Sequence, residues 1–193
     1  MRLTHKFLDV HDHQKVSDEV YEYVINRTEV LTATPFQYYT DLPINHVLQH
    51  CPALVEFLNS RHLTPARLAV IVVDSRDTVD LHIDNDGSSP YVRILWPIKN
   101  CEGSETRFFS VPEGAGTLEV DPNGTIVTGF AKNQPCEQID AFELTSPVLL
   151  DVSVPHSVQP NTELKGWRIS FTIGFDRDLP ISKSIKAWFG FQR

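Results

Sequence analysis

His82-Ile83-Asp84 sets an imidazole and a carboxylate two residues apart, and on an extended chain such side chains share one face while Ile83 points the other way into apolar packing. His156, far along the chain, offers a second imidazole. Two imidazoles and one carboxylate make one face of a coordination shell with the remaining positions open, the donor set of non-haem Fe(II) oxygenases. Arg168-Ile169-Ser170 puts a guanidinium and a hydroxyl on one face of a further extended run. A planar guanidinium takes a carboxylate through two parallel hydrogen bonds and the hydroxyl can add a third, where a lysine would offer a point charge. These residues together could hold an iron ion with a dicarboxylate beside it. Taken singly they have bland readings: H-x-D is common in turns, a strand arginine often meets a surface carboxylate, and a serine can fill a tight barrel. Trp167, Ile169 and Phe171, however, look like a core-packing face, which turns Arg168 and Ser170 to the other side.

The segments that must position these residues are β-rich. From Arg67 onward, β-branched and aromatic runs predict strands at 68–73, 78–84, 91–98, 106–111, 117–120, 125–129, 138–144, 148–154 and 167–175, with turn clusters at 85–90, 121–124 and 159–166. Strands so closely spaced, with no helices between them, indicate a sandwich, barrel or jelly roll. A hairpin of 148–158 with 167–175, closed around Thr162, would set His156 opposite Arg168 with facing Cβ atoms about 5 Å apart. Ahead of this core, Ser17 reads as an N-cap followed by Asp18 and Glu19, with Val16, Val20, Tyr23, Val24 and Leu31 near helical spacing. A second helix is expected over 45–59, kinked or restarted at Pro52. The expected organisation is one domain over 1–193: a helical layer at 1–66, a core at 67–176 and a tail at 177–193 in which Ile185, Trp188, Phe189 and Phe191 could pack.

In this order and on this texture, H-x-D, then His156 within Pro155-His156-Ser157, then R-x-S resembles the Fe(II)/2-oxoglutarate-dependent dioxygenase superfamily over residues 67–176. Among its members the chain looks most like small stand-alone hydroxylases of the prolyl and asparaginyl/aspartyl type. The resemblance implies a double-stranded β-helix, a cupin-like jelly roll. It further implies His82, Asp84 and His156 as iron ligands and Arg168 with Ser170 as the anchor for the distal carboxylate of 2-oxoglutarate. The implied cofactors are Fe(II), 2-oxoglutarate as cosubstrate and dioxygen, and the implied activity is hydroxylation coupled to decarboxylation of 2-oxoglutarate to succinate. Asp84 as the carboxylate ligand favours hydroxylation over halogenation, because halogenases of the family carry a small residue there. The substrate, a peptide side chain or a small metabolite, is not readable. The alternative is a non-catalytic cupin-like module that keeps the barrel and binds a metal or ligand.

Composition sets bounds on partners. An apolar fraction of 41% with 22% charged residues supports a buried core, and a net charge of -8 without Lys/Arg runs argues against an electrostatic grip on nucleic acid. No apolar stretch of signal-peptide or membrane-span type occurs, and the 3 cysteines include no C-x-x-C pair, so a reducing, cytoplasmic setting is expected. Of the 8 histidines, His46 and His50 stand one helical turn apart and His11-Asp12-His13 is locally dense, but neither group has a third ligand in a strong pattern. Arg93 and Trp96 point to opposite faces of one strand, so at most one lines a cavity. The expectation is a packed Trp96 and a solvent-facing Arg93, with Thr106 and Phe108 sharing a face on the next strand.

Overall fold

A computed structural model of the chain describes residues 3–26, 38–74, 78–84, 91–120, 126–163, 166–176 and 179. The expected turns at 85–90 and 121–124, Leu31, and the tail residues Ile185, Trp188, Phe189 and Phe191 lie outside the described residues.

Among the described residues twelve strands form two antiparallel sheets. They are β1 (His5–Phe7), β2 (Tyr38–Asp41), β3 (Pro65–Asp74), β4 (Val79–Asp84), β5 (Val92–Lys99), β6 (Glu105–Ser110), β7 (Thr117–Val120), β8 (Ile126–Gly129), β9 (Glu137–Glu143), β10 (Val148–Asp151), β11 (His156–Gln159) and β12 (Trp167–Phe175). The first sheet runs β1-β10-β5-β12-β3-β2 and the second β7-β8-β4-β11-β6-β9. From β3 to β6, and again from β9 to β12, each successive strand changes sheet. That alternation winds the chain into a jelly roll, the double-stranded β-helix expected from the sequence.

Among the described residues three helices, α1 (His13–Ile25), α2 (Ile44–His50) and α3 (Pro52–Ser60), precede the β core apart from β1 and β2. The single helix expected over 45–59 is two: Cys51 has a non-helical φ of -122° and Pro52 restarts the chain at the first position of α3, where its missing N–H costs nothing. Ser17 is not the N-cap it was expected to be. α1 begins at His13, and the buried Ser17 hydroxyl lies 2.7 Å from the carbonyl of Pro97 and 3.2 Å from that of His13, fastening the helix to β5. Trp96 is packed as expected: its indole N–H donates to the carbonyl of His13 at 3.2 Å, and its ring stands edge-on to Phe57 at 4.9 Å.

The helices and one face of the first sheet enclose a core in which Val20, Val24, Leu54, Ile94, Trp96 and Phe171 are fully buried. A second apolar cluster, including Leu95, Phe108, Phe142 and Leu150, lies on the other side of that sheet. β12 pairs with β3 along one edge and β5 along the other, and its two faces are turned to the helical core and to the second sheet. Strands buried on two faces read as near-continuous apolar runs. β12 fits this except for Arg168, Ser170 and Thr172, which alternate with Ile169, Phe171 and Ile173 and point away from the helices. Among the described residues no helix is long and apolar enough to cross a membrane.

Phe171 locks β12 to the helical layer, so Phe171→Ala is expected to lower unfolding free energy by about 3–5 kcal/mol in a denaturant titration. A loss below about 1 kcal/mol would show that this core can collapse around the missing ring.

Candidate metal centre

β4 and β11 are paired so that His82 and His156 face each other across the ladder, with ring centroids 4.4 Å apart. Asp84 follows His82 on the same face of β4, its backbone N–H donating to the carbonyl of Val152 at 3.2 Å. Its Oδ1 lies 3.3 Å from Nε2 of His82. One potential ligand atom from each of His82, Asp84 and His156 lies within 4.8 Å of the others. Among the described residues this is the one grouping of at least three such side chains.

Each imidazole is oriented by its own strand. Nδ1 of His82 is 2.8 Å from the carbonyl of Asp80, and Nδ1 of His156 is 2.8 Å from that of Val154. A carbonyl only accepts, so Nδ1 carries the proton in both rings, which puts the lone pair on Nε2. Imidazoles that ligate metals are commonly held in this way. Burial, reinforced by the neighbouring His82, pushes the His156 pKa down to about 4. For Asp84, burial pulls upward, but the hydrogen bond and charge of His82 in its protonated form, with the charges of a protonated His156 and of Arg93, outweigh it and hold the carboxyl well below the usual range. At neutral pH the pair therefore stands as a neutral imidazole and a carboxylate, the forms that ligate metals.

Between the two sheets lies a cavity of about 290 Å³ that the three side chains share with Arg168, Ser170 and Thr106. Arg168 is only 2% exposed. Its Nη1 donates to the Ser170 hydroxyl at 3.2 Å, while Nε and Nη2, like Oγ1 of Thr106, are buried without a hydrogen-bond partner among the described residues. Unbonded N–H groups on a buried guanidinium are costly, and a carboxylate is the group they would bind best. The donor set opposite, two imidazoles and one carboxylate, suits a divalent ion such as ferrous iron.

The expected hairpin does not form. β11 lies in the second sheet, where His156 pairs with His82 and Phe108, whereas β12 lies in the first, where Arg168 pairs with Val73. The stretch expected to be one strand over 148–154 ends at Asp151, and the chain turns there into the second sheet; the turn around Thr162 returns it to the first. His156 and Arg168 therefore belong to facing sheets instead of neighbouring strands. The expectation of a solvent-facing Arg93 also fails. Arg93 is buried and lines the cavity, its Nη1 3.5 Å from Oδ2 of Asp84 and 3.3 Å from the hydroxyl of Tyr39. Helices cover the other face of β5, so a polar residue on it has only the cavity to enter. Thr106, on the same parity as Phe108, was open to discovery by alternation once either was known to point inward; Phe108 itself packs near His156, ring centroids 6.2 Å apart.

His46 and His50 stack at 4.3 Å, with the Tyr23 hydroxyl 3.0 Å from Nδ1 of His46. His11 and Asp12 form an exposed pair at 2.9 Å. Neither belongs to a grouping of three among the described residues.

No family model and no curated protein matches the chain. Among solved structures it is similar to the non-haem α-ketoglutarate-dependent carbocyclase SnoK from nogalamycin biosynthesis, with 13% identity over 88% of this chain and 77% of that one, at a TM-score of 0.48. It is similar to a Pseudomonas putida prolyl-4-hydroxylase, with 13% identity over 91% of this chain and 92% of that one, at a TM-score of 0.46. It is also similar to the epimerase SnoN, solved with ferric iron, α-ketoglutarate and a nogalamycin compound, with 12% identity over 88% and 76% and a TM-score of 0.44. Likeness of this size assigns neither substrate nor reaction to this chain.

The unbonded guanidinium has a thermodynamic consequence. Arg168→Met keeps most of the side chain's bulk while removing a buried charge, so the metal- and ligand-free protein is expected to gain about 1–3 kcal/mol in urea unfolding. A clear loss of stability would mean that the guanidinium already has its partner within the protein.

Proposed function

We propose that this protein is an Fe(II)- and 2-oxoglutarate-dependent dioxygenase that hydroxylates a C–H bond of a peptide side chain or small metabolite. In this reading His82, Asp84 and His156 hold the iron, and Arg168 with Ser170 binds the distal carboxylate of 2-oxoglutarate. The observation that carries it is one cavity joining a three-donor cluster to a buried guanidinium with unbonded N–H groups. A metal-only module would have no use for that guanidinium, whereas a dicarboxylate bridging to a metal engages both.

When bound, iron with 2-oxoglutarate and dioxygen supplies the oxidation: one oxygen atom ends in succinate, the other in the hydroxylated product, and carbon dioxide leaves. The chain's own residues do the positioning. Arg168 and Ser170 fix the far end of the cosubstrate, so its keto-acid end is delivered to the cluster in one orientation. His156, held neutral by burial, and Asp84, held anionic, keep their ligating forms without a proton to displace. Ile71, Val73, Leu150 and Val152 give the cavity apolar walls, which limit the water that would compete for the open positions.

Incubation with Fe(II), 2-oxoglutarate and ascorbate tests this reading. The protein is expected to release succinate, with the rate falling by about 10–100-fold or more in His156→Ala and in Arg168→Ala. A protein that binds iron through the same residues yet releases no succinate would instead be a non-catalytic cupin-like module.

A further inference from the structure

The two oxygens of Asp84 face different partners. Oδ1 lies 3.3 Å from Nε2 of His82, on the side of the imidazole cluster, while Oδ2 lies 3.5 Å from Nη1 of Arg93. That guanidinium is itself tied down. Its Nη1 is 3.3 Å from the hydroxyl of Tyr39, which reaches in from β2 while Arg93 reaches from β5. Between those two strands stand β12 and β3, so the two side chains meet above the small inward residues Ala69 and Thr172. The ring of Tyr39 in turn carries the guanidinium of Arg67 at 4.7 Å from its centroid. Arg67 is fixed by two hydrogen bonds to Asp41, at 2.7 and 3.0 Å. A continuous series of alternating groups, Asp41, Arg67, Tyr39, Arg93 and Asp84, thus runs from the edge of the first sheet to the cluster on the second.

We infer that Arg93, steadied by Tyr39, is a positioning residue that keeps Oδ2 of Asp84 off the metal, so that Asp84 ligates through Oδ1 alone. The inference rests on the proposed metal site and adds to it a control over how many positions stay open. A carboxylate can bind a divalent ion through one oxygen or both. With one oxygen from Asp84, the ion can take two imidazoles, a chelating keto acid and one further molecule, which is where dioxygen must enter. With both oxygens bound, that last position is filled. Oδ2 is therefore the atom whose restraint matters, and a buried cation beside it supplies the restraint through charge as well as place. The same cation repels an incoming metal ion, so the arrangement gives up some metal affinity in exchange for an open position.

That trade gives a signature a purely structural role would not produce. Mn(II) takes the same class of nitrogen and oxygen ligands without turning over, and water-proton relaxivity reports whether it keeps an exchangeable water. In the Mn(II)-loaded protein saturated with 2-oxoglutarate, the wild type is expected to show the relaxivity of an ion with bound water. Arg93→Met is expected to lose that enhancement while binding Mn(II) at least as tightly as wild type. Arg93→Lys, which keeps the charge, should retain it, and Tyr39→Phe, which frees the guanidinium without removing it, should lose part of it. Should Arg93→Met fail to fold, the Tyr39→Phe and Arg93→Lys results decide the matter. The inference is overturned by wild-type relaxivity in Arg93→Met or, lacking that variant, in Tyr39→Phe. It is equally overturned if Mn(II) affinity, relaxivity and metal-free thermal stability all fall together, as a merely structural residue would require. Failure of the underlying site reading looks different: the wild-type protein itself would bind no Mn(II), or would bind it equally well after Asp84→Ala.

Discussion

A guanidinium buried between two sheets, with two of its nitrogens unbonded among the described residues, is held in place only because the rest of the fold is stable enough to carry it. Arg168 occupies a strand paired along both edges, and the apolar residues that alternate with it are fixed against the helices. The side chain cannot swing out to solvent without pulling Ile169 and Phe171 from that core. Its charge is therefore presented to the cavity whether or not a partner is present, and an anion entering there finds a donor that requires no rearrangement. The three-donor cluster across the cavity has a complementary need: a carboxylate and two neutral imidazoles crowd together around a point that a cation would occupy. In the proposed reading a dicarboxylate and a metal would each relieve one half of this electrostatic tension, and a ligand touching both would relieve the whole.

The jelly roll explains why the two halves sit on different sheets. Each crossing between sheets sends consecutive strands to opposite walls, so residues near in sequence, such as His156 and Arg168, end on opposing faces, while residues far apart, such as His82 and His156, become ladder neighbours. Depth within the cavity is then set by position along a strand. Arg93, beside Tyr39, lies on the same wall as Arg168 but reaches Asp84, placing a second cation against the carboxylate side of the cluster.

Much of this arrangement was legible from residue order, and the parts that were not have a common cause. Alternation on an extended chain was enough to say that His82 and Asp84 share a face, that Arg168 and Ser170 share another, and that Ile169 and Phe171 oppose them, because those relations are local. The strands themselves were legible as β-branched and aromatic runs. Pairing was not: a period of two carries no information about which strand lies alongside which, so the plausible hairpin around Thr162 was a local solution to what is a crossover between sheets. Arg93 escaped for a related reason. An arginine between Val92 and Ile94 is taken to face water unless it is known that helices cover one side of β5 and a second sheet the other. Ser17 was misjudged because its hydroxyl serves a distant carbonyl, that of Pro97, instead of its own helix end.

The most direct test is a crystal structure of the protein loaded anaerobically with Fe(II) and 2-oxoglutarate, with the iron located by anomalous scattering at its absorption edge. The account predicts a single strong peak touching Nε2 of His82, Nε2 of His156 and Oδ1 of Asp84, with one end of the cosubstrate on the ion and the far carboxylate against Nε and Nη2 of Arg168. Iron bound elsewhere, or a cosubstrate whose distal carboxylate leaves Arg168 unbonded, would contradict it.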